Sequence, residues 1–126
     1  MIAGIGLDIV ELNRIAKMDA RSDKLRLRIL VADELASYES LASHRRIEFL
    51  AGRFAAKEAF AKAMGTGIGA DCRFEDIAIL PDSKGKPVLY FKGEPANGLV
   101  SITHTQTVAA AQVVLLELPS NTSRCN

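Results

Sequence analysis

The sequence predicts an α+β domain in which one long buried helix packs against a mainly antiparallel sheet. Three observations support this prediction. The chain has 126 residues, which allows one domain of ordinary size. After one short apolar run, the first half, up to Met64, is dominated by helical periodicity. The second half consists of short apolar runs separated by turn residues, and helices followed by strands are typical of the α+β class.

The first half begins with an apolar run over residues 2–10, which predicts a buried strand whose glycines allow close backbone approach. Residues 12–30 have apolar positions at helical spacing. Asp19 or Ser22 can interrupt that segment as a second N-cap, so one helix and two helices both remain open. A short helix is predicted over residues 33–41.

A long helix is the predicted centre of the fold. Ser43 offers an N-cap, and Gly65 favours the left-handed conformation that ends helices. Between Arg46 and Met64 apolar residues lie nearly all round the helix, so we expect it to be largely buried.

The second half is predicted to supply most of the sheet. The expected strands are residues 77–80, 87–91, 99–103 and 108–118. Turn residues 82–85 join the first two strands as a hairpin, and Asn97-Gly98 marks a tight turn before the third. Residues 1–118 are therefore expected to form one domain, and residues 119–126 a flexible tail.

Composition excludes several classes of protein. The net charge is +1, from 16 Lys and Arg against 15 Asp and Glu, which argues against nucleic-acid binding through a global positive field. Two cysteines are too few for a disulfide framework, so a reducing cytoplasm is expected. Asp8 and Glu11 interrupt the N-terminal apolar stretch, which therefore fits neither a signal peptide nor a membrane span.

Apolar residues make up 48% of the chain, slightly more than a lone domain needs. Residues 113–116 are four consecutive apolar residues and must point to both faces of a sheet. We therefore expect the outer face of this strand to contact neighbouring subunits.

Two acidic residues are anomalous because an ionised carboxylate in a buried element is costly unless it is paired or bound to metal. Asp8 lies inside the predicted buried strand, and Glu58 lies on the long helix. One interpretation is an ordinary helical ion pair between Glu58 and Lys62, four residues later. The other is that Asp8 and Glu58 converge on one hard cation such as Mg²⁺, with Lys62 beside an anionic substrate.

Basic residues recur at helical spacing in the segment before the long helix. They are Arg14, Lys17, Arg21, Lys24 and Arg28. An apolar stripe that includes Met18 and Leu25 lies next to them, so the surface is either a solvated helix face or a docking site for an acidic partner. Arg45, Arg46 and Arg53 add guanidinium groups suited to phosphate around the start of the long helix.

Three segments of the chain resemble a known family. They are GIGLDIVE at residues 4–11, GRFAAKEAF at residues 52–60 running on to Lys62 and GTG at residues 65–67, and SITH at residues 101–104. In this order they resemble the holo-acyl-carrier-protein synthases, the short, homotrimeric kind of 4′-phosphopantetheinyl transferase, over almost all of residues 1–118.

The resemblance implies the 4′-phosphopantetheinyl transferase fold and a Mg²⁺-dependent reaction. The 4′-phosphopantetheine group of coenzyme A is transferred to a serine of apo-acyl carrier protein, with release of adenosine 3′,5′-bisphosphate, in support of fatty acid biosynthesis. It also implies a cytoplasmic homotrimer with active sites between subunits, and neither nucleic acid nor membrane as a partner.

The resemblance also assigns roles to residues. Asp8 and Glu58 fall on the magnesium ligands, and Lys62 falls on the active-site lysine beside the coenzyme phosphates, so these three form the catalytic set. Either Glu58 or a water on the metal takes the proton of the carrier serine. The implied coenzyme contacts are Arg45, Arg53, Lys62, Gly85, Lys86, Pro87 and His104. The implied carrier-docking residues are Arg14, Met18, Arg21, Lys24, Leu25 and Arg28.

A non-enzymatic class of function competes with this interpretation. In it the basic helix binds nucleic acid or an acidic protein, and Asp8 and Glu58 form structural ion pairs. Aromatic residues make up only 6% of the chain and Trp is absent, which leaves few groups to stack on single strands. The joint presence of Asp8, Glu58 and Lys62 favours the enzyme.

Overall fold

The computed structural model describes residues 1–120, so most of the predicted tail lies outside the described residues. The helices are α1 (Leu12–Arg21), α2 (Lys24–Ile29), α3 (Ala32–Glu39) and α4 (Ser43–Met64). The strands are β1 (Gly4–Glu11), β2 (Ile77–Pro81), β3 (Pro87–Phe91), β4 (Glu94–Pro95), β5 (Gly98–His104) and β6 (Val108–Leu115). The predicted α+β class is confirmed.

The strands form two antiparallel sheets. The first has the order β1-β6-β5 and carries α4 on one face, and the second has the order β2-β3-β4. Helix α4 is buried along most of its length, as predicted, and its apolar side chains join those of both sheets in one core. Within residues 1–120 no helix is long and apolar enough to cross a membrane.

Two glycines bring β1 directly against α4. A Cβ atom at Gly6 would lie 1.8 Å from the carbonyl oxygen of Ala59, and one at Gly4 would lie 2.0 Å from that of Ala63. Neither position can hold a larger residue unless the backbones separate. The predicted close approach at these glycines is confirmed, and it sets the distance between Asp8 on β1 and the side chains of α4.

The opposite face of β1 is exposed in the single chain. Ile5, Leu7 and Ile9 are 58%, 56% and 63% exposed. The prediction of a buried strand is therefore wrong for this face, because residue alternation turns every second side chain away from α4. Asp8 is on the inner face and is half-buried.

Residues 113–116 alternate between two faces, as predicted, and Leu116 is 44% exposed, while contact of the outer face with neighbouring subunits stays a prediction. Val113 and Leu115 are buried, and β6 ends at Leu115. Val114 points outward but is half-buried, because β6 is the central strand and Val114 lies between Ile5 of β1 and Leu99 of β5. The exposed apolar surface is therefore contributed mainly by the edge strand β1.

The helical segment over residues 12–30 is two helices, separated at Ser22 and Asp23. Ser43 is not the N-cap of the long helix. It is the first helical residue, since the carbonyl of Ala42 already accepts the Arg46 N–H at 3.0 Å, and Ala42 has no side chain that can cap. Gly65 ends the helix with a φ of 85°, as predicted.

In the second sheet the predicted hairpin of β2 and β3 is confirmed. The Oδ1 atom of Asp82 accepts N–H groups from Lys84 and Lys86 and holds its turn. The predicted tight turn at Asn97-Gly98 is wrong. The tight turn is at Lys92-Gly93, where both residues have positive φ values of 52° and 84°, and it joins β3 to β4, a strand too short to have a pattern.

Candidate active site

Asp8 and Lys62 meet where β1 crosses the last turns of α4. The Nζ atom of Lys62 donates to Oδ1 of Asp8 and to the carbonyl oxygen of Leu7, both at 3.0 Å. The side chain of Lys62 is 51% exposed and that of Asp8 is 17% exposed. The pair is therefore accessible to a ligand, and Asp8 has a charged partner rather than the apolar surroundings that the sequence indicated.

Glu58 lies about one turn before Lys62 on α4. Partial burial raises the pKa of Glu58, and the negative charge of Asp8 raises it further, while Lys62 and Arg28 oppose the shift. Lys62 forms its ion pair with Asp8, and among the described residues none joins Glu58 to Lys62, so the simple helical pair was a wrong expectation. The negative charges of the two carboxylates instead repel each other.

Two carboxylates are a fitting but incomplete cation site. Within residues 1–120 no group of three or more His, Cys, Asp or Glu side chains could enclose a metal ion. Mg²⁺ commonly takes one or two carboxylates and completes its shell with substrate phosphates and water. The mutual repulsion of Asp8 and Glu58 is the property that a cation between them would relieve.

A cavity of about 370 Å³ opens beside Glu58. It is lined by Arg14, Ile15, Met18, Arg28, Phe54, Glu58, Ile68 and Phe74. A second cavity of about 270 Å³ shares Met18 and Arg28 with the first, and its other lining residues are Arg21, Ser22, Lys24 and Leu25. All six predicted docking residues thus line these two cavities, although the break at Ser22 interrupts the predicted continuous stripe.

A third cavity, also about 270 Å³, lies near the start of α4 and brings together Arg45, Arg53 and His104. Glu48 also lines it, with Oε1 at 4.0 Å from Nε of Arg45 and Oε2 at 3.7 Å from Nδ1 of His104. Burial lowers the pKa of Arg53, whose guanidinium lies over the ring of Phe49 at 4.4 Å. Sequence reasoning missed Glu48, for which the spacing of three residues from Arg45 was the only signal.

One chain does not bring all predicted site residues together. Arg45 and Glu58 are 13 positions apart on α4, which corresponds to roughly 20 Å along the helix axis. Gly85, with a φ of 84°, and Lys86 belong to the turn between β2 and β3 in the other sheet, and Pro87 begins β3. Apart from Lys62, the predicted coenzyme contacts therefore fall into two groups, one at the start of α4 and one at the turn between β2 and β3.

Sequence reasoning also missed a buried ion pair. Lys57 and Glu34 are 0% and 1% exposed, and the Nζ atom of Lys57 lies 2.6 Å from Oε1 of Glu34. Burial lowers the pKa of Lys57, and the charge of Glu34 partly offsets the shift. The available signal was a lysine within an otherwise apolar helical run, but nothing in the sequence indicated its partner 23 residues away.

The chain is similar to known proteins over nearly its whole length. The family model of the 4′-phosphopantetheinyl transferase superfamily (ACPS) matches residues 4–115. The holo-[acyl-carrier-protein] synthase of Bacillus subtilis (strain 168) is 55% identical over 121 residues, which cover 95% of this chain and 100% of that protein.

Solved structures agree with this similarity. A holo-(acyl-carrier-protein) synthase from Bacillus anthracis str. Ames, in complex with CoA (3′,5′-ADP), has a TM-score of 0.80 and 50% identity, covering 91% of this chain and 96% of that one. The synthase of Neisseria meningitidis has a TM-score of 0.82 and 34% identity, covering 93% and 100%. The chain belongs to the 4′-phosphopantetheinyl transferase superfamily and, within it, to the holo-[acyl-carrier-protein] synthases.

Proposed function

We propose that residues 1–118 form one transferase domain that moves the 4′-phosphopantetheine group of coenzyme A to a serine of apo-acyl carrier protein. The reaction requires Mg²⁺ and releases adenosine 3′,5′-bisphosphate. One observation carries the proposal: Asp8, Glu58 and Lys62 gather at the end of α4, and Glu58 also lines the cavity that holds the basic and apolar docking residues. Similarity to named synthases over nearly the full chain supports it.

Asp8 and Glu58 would hold the magnesium ion, because carboxylate oxygens are the ligands that Mg²⁺ prefers and their own repulsion favours a cation between them. When bound, Mg²⁺ neutralises negative charge on the pyrophosphate oxygens of the coenzyme.

Lys62 stabilises the phosphate that leaves. An ammonium group has three donors, and two of them are used on Asp8 and the carbonyl of Leu7. Within residues 1–120 the third donor has no acceptor and can bind a phosphate oxygen, to which the half-exposed position of Lys62 gives access. Asp8 thereby holds Lys62 in position before the substrate binds. A donor that is already in position stabilises the negative charge that develops on the leaving phosphate.

Glu58 accepts the proton of the carrier serine. A carboxylate oxygen within hydrogen-bond reach of a hydroxyl group can take its proton as that hydroxyl attacks. Glu58 also lines the cavity on which we place the carrier, so the attacking hydroxyl reaches it from that side.

The carrier binds over the two adjoining cavities near α1 and α2. Arg14, Arg21, Lys24 and Arg28 provide positive charge there, and Met18 and Leu25 provide apolar contact area. This arrangement suits an acidic helix with an apolar edge, because the charges steer the encounter and the apolar side chains stabilise the complex.

The active sites are completed between the subunits of a homotrimer. The exposed apolar face of β1 needs a cover, since a patch of this kind marks an interaction surface. A neighbouring chain on that face can also bring the cavity of Arg45, Arg53 and His104, together with residues 85–87, toward Asp8 and Lys62. A cytoplasmic role in fatty acid biosynthesis follows as part of the same proposal.

The test is to incubate the protein with coenzyme A, Mg²⁺ and an apo-acyl carrier protein and to weigh the intact carrier. We expect the carrier to gain the mass of one phosphopantetheine group, and to gain none when Mg²⁺ is chelated. The matched variant is Asp8→Asn, which keeps the size of the side chain and removes its charge. We expect this variant to transfer the group much more slowly than the wild type. No mass gain on any of several apo-carriers would overturn the proposed function.

A further inference from the structure

The buried pair of Glu34 on α3 and Lys57 on α4 has no part in the proposed chemistry, yet all its hydrogen-bonding groups are used. The ammonium of Lys57 donates to Oε1 of Glu34 at 2.6 Å, to the carbonyl of Ile29 at 2.7 Å and to the carbonyl of Phe74 at 3.3 Å. All three of its protons have acceptors. Lys57 thus ties the end of α2 and the 3₁₀ turn Phe74–Asp76 to the long helix.

Glu34 extends the same network in the other direction. Its Oε1 atom also accepts the N–H of Val31 at 2.9 Å, and its Oε2 atom accepts the N–H of Ile79 at 2.9 Å. The Nε atom of Arg53 lies 3.8 Å from that second oxygen, is buried, and has no hydrogen-bond partner among residues 1–120. The carboxylate is therefore the charge that faces the buried part of Arg53.

Both ends of the network lie at surfaces that the proposed reaction uses. Ile29 follows Arg28, and the guanidinium of Arg28 lies over the ring of Phe74 at 5.5 Å. Arg28 and Phe74 line the cavity that contains Glu58, where we place the carrier. Arg53 lines the other cavity, where we place part of the coenzyme.

Stability alone does not explain a buried ion pair of this kind. Taking two charges out of water is costly, and well-packed apolar residues of similar size often stabilise a fold equally well or better. An apolar pair, however, could not hold two carbonyl groups, two backbone N–H groups and a guanidinium in fixed positions. Those contacts are what distinguish Glu34 and Lys57 from a packed core.

We propose that Glu34 and Lys57 are a positioning pair that holds Arg28 and Phe74 toward the carrier protein and Arg53 toward coenzyme A. This inference rests on the proposed function and adds to it a coupling between the two substrate surfaces. Neither residue touches a substrate, and neither takes part in the transfer itself.

The test is the double variant Glu34→Gln/Lys57→Met, which removes both charges together and leaves no unpaired ion in the core. We expect a folded protein in which the KM values for the carrier and for coenzyme A each rise about tenfold, equivalent to about 1.4 kcal/mol each, while kcat changes by less than about threefold. A purely structural pair would leave both KM values at the wild-type level once the protein is folded, and that result would overturn the inference.

A second ion pair, between buried Asp19 and partly exposed Arg26, provides the control. Asp19 is 5% exposed, lies 2.9 Å from Nε of Arg26 and also accepts the hydroxyl of Tyr38. Asp19→Asn/Arg26→Gln removes the same two charges between α1 and α2 without touching Arg53. We expect its KM for coenzyme A to stay at the wild-type value. An equal rise in both double variants would indicate general loosening and contradict the proposed positioning.

If the double variant does not fold, Glu34→Asp is measured in the same way. It keeps a negative charge for Lys57 but shortens the side chain by one methylene group, so the carboxylate withdraws from Arg53, and we expect the KM for coenzyme A to rise more than that for the carrier. Equal KM values in this variant and the wild type would overturn the inference while the proposed function stands. A wild-type protein that transfers nothing to any carrier would overturn both.

Discussion

Helix α4 carries two lysine–carboxylate pairs that differ in almost every physical property. Lys62 is half-exposed, bonds Asp8 and one carbonyl, and keeps a donor free. Lys57, five positions earlier, is completely buried, and its three protons are bound by Glu34 and two carbonyls. An accessible group with a spare donor can act on a ligand, whereas a saturated buried group can only fix the positions of its neighbours.

The surroundings sharpen this difference. Asp8 faces a second carboxylate, Glu58, and the positive charges of Lys62 and Arg28 only partly offset the effects of burial and of Asp8 on Glu58, so a cation between the carboxylates is favoured. Glu34 faces two positive groups, Lys57 and Arg53, so the buried group lies in an excess of positive charge and needs no further ligand. We therefore expect the metal ion to bind between Asp8 and Glu58 and a phosphate oxygen to bind Lys62.

The largest expected effect is on the accessible pair. Lys62→Met keeps the length of the side chain and removes the donor, and we expect kcat to fall roughly 10²–10³-fold, the usual cost of losing one preorganised donor to developing charge. The melting temperature should also fall, because Asp8 is only 17% exposed and loses its charged partner, so turnover is measured well below the melting temperature of the variant. Steady-state turnover and a thermal melt check this. A Lys62→Met variant with the wild-type kcat would contradict a role of Lys62 in the transfer.

The next effect tests what brings Asp8 to Lys62. In Gly6→Ala the new methyl group would overlap the carbonyl oxygen of Ala59, which is backbone and cannot rotate away. We expect the free energy of unfolding to fall by about 3 kcal/mol or more, at the upper end for overpacking. Gly69→Ala is the control, since nothing lies within 4 Å of its Cβ and its φ is ordinary. Equal stability of the two variants in urea would contradict the close contact.

A smaller effect is expected at the docking cavities. Arg21→Glu reverses one charge at the cavity that also holds Met18 and Lys24, and we expect the KM for the carrier to rise about tenfold, or about 1.4 kcal/mol, at low salt. The KM for coenzyme A should stay constant. Lys17→Glu makes the same change on α1 at a residue that lines neither docking cavity, so it should raise the carrier KM less. If Lys17→Glu raised the KM for the carrier more than Arg21→Glu, the carrier would not dock over these two cavities.

The smallest effect is a pH dependence of stability. Because the folded chain raises the pKa of Glu58 above its ordinary 4.5, its contribution to stability is fully present below about pH 4.5 and is lost as the pH rises through the raised pKa. Glu58→Gln has no charge to lose. With metal chelated, we expect this variant to melt at a higher temperature than the wild type at pH 7 and at the same temperature near pH 4.

A lower melting temperature for Glu58→Gln at pH 7 would show that the ionised carboxylate stabilises the fold. That outcome would contradict the raised pKa of Glu58 and the repulsion between Glu58 and Asp8.

Local signals explain what could be predicted from the sequence. The helix end at Gly65 and the β2–β3 hairpin depend on residues that are neighbours in the chain, and both are confirmed. The close backbone approach at Gly4 and Gly6 was indicated by glycines inside an apolar run and is also confirmed, but the run did not indicate that its partners are Ala63 and Ala59. The convergence of Asp8 with Lys62 followed from a carboxylate in an apolar run together with a motif resemblance. The match of residues 4–115 to the family model confirms that resemblance.

Long-range pairing explains what could not be predicted. Glu34 lies in an ordinary amphipathic helix, and only the folded chain shows that its carboxylate reaches Lys57, Arg53 and the N–H of Ile79. The exposed face of β1 was missed for a related reason. An apolar run does not reveal whether its own chain or a neighbouring chain covers it.

The central claim is that the accessible pair performs the transfer and the buried pair positions the groups around it. The most direct measurement is kcat with both substrates saturating, compared between Asp8→Asn and the Glu34→Gln/Lys57→Met variant. The account predicts that kcat falls at least about 10²-fold in the first and stays within about threefold of the wild type in the second. A second variant as slow as the first at saturation, or a fully active Asp8→Asn, would contradict it.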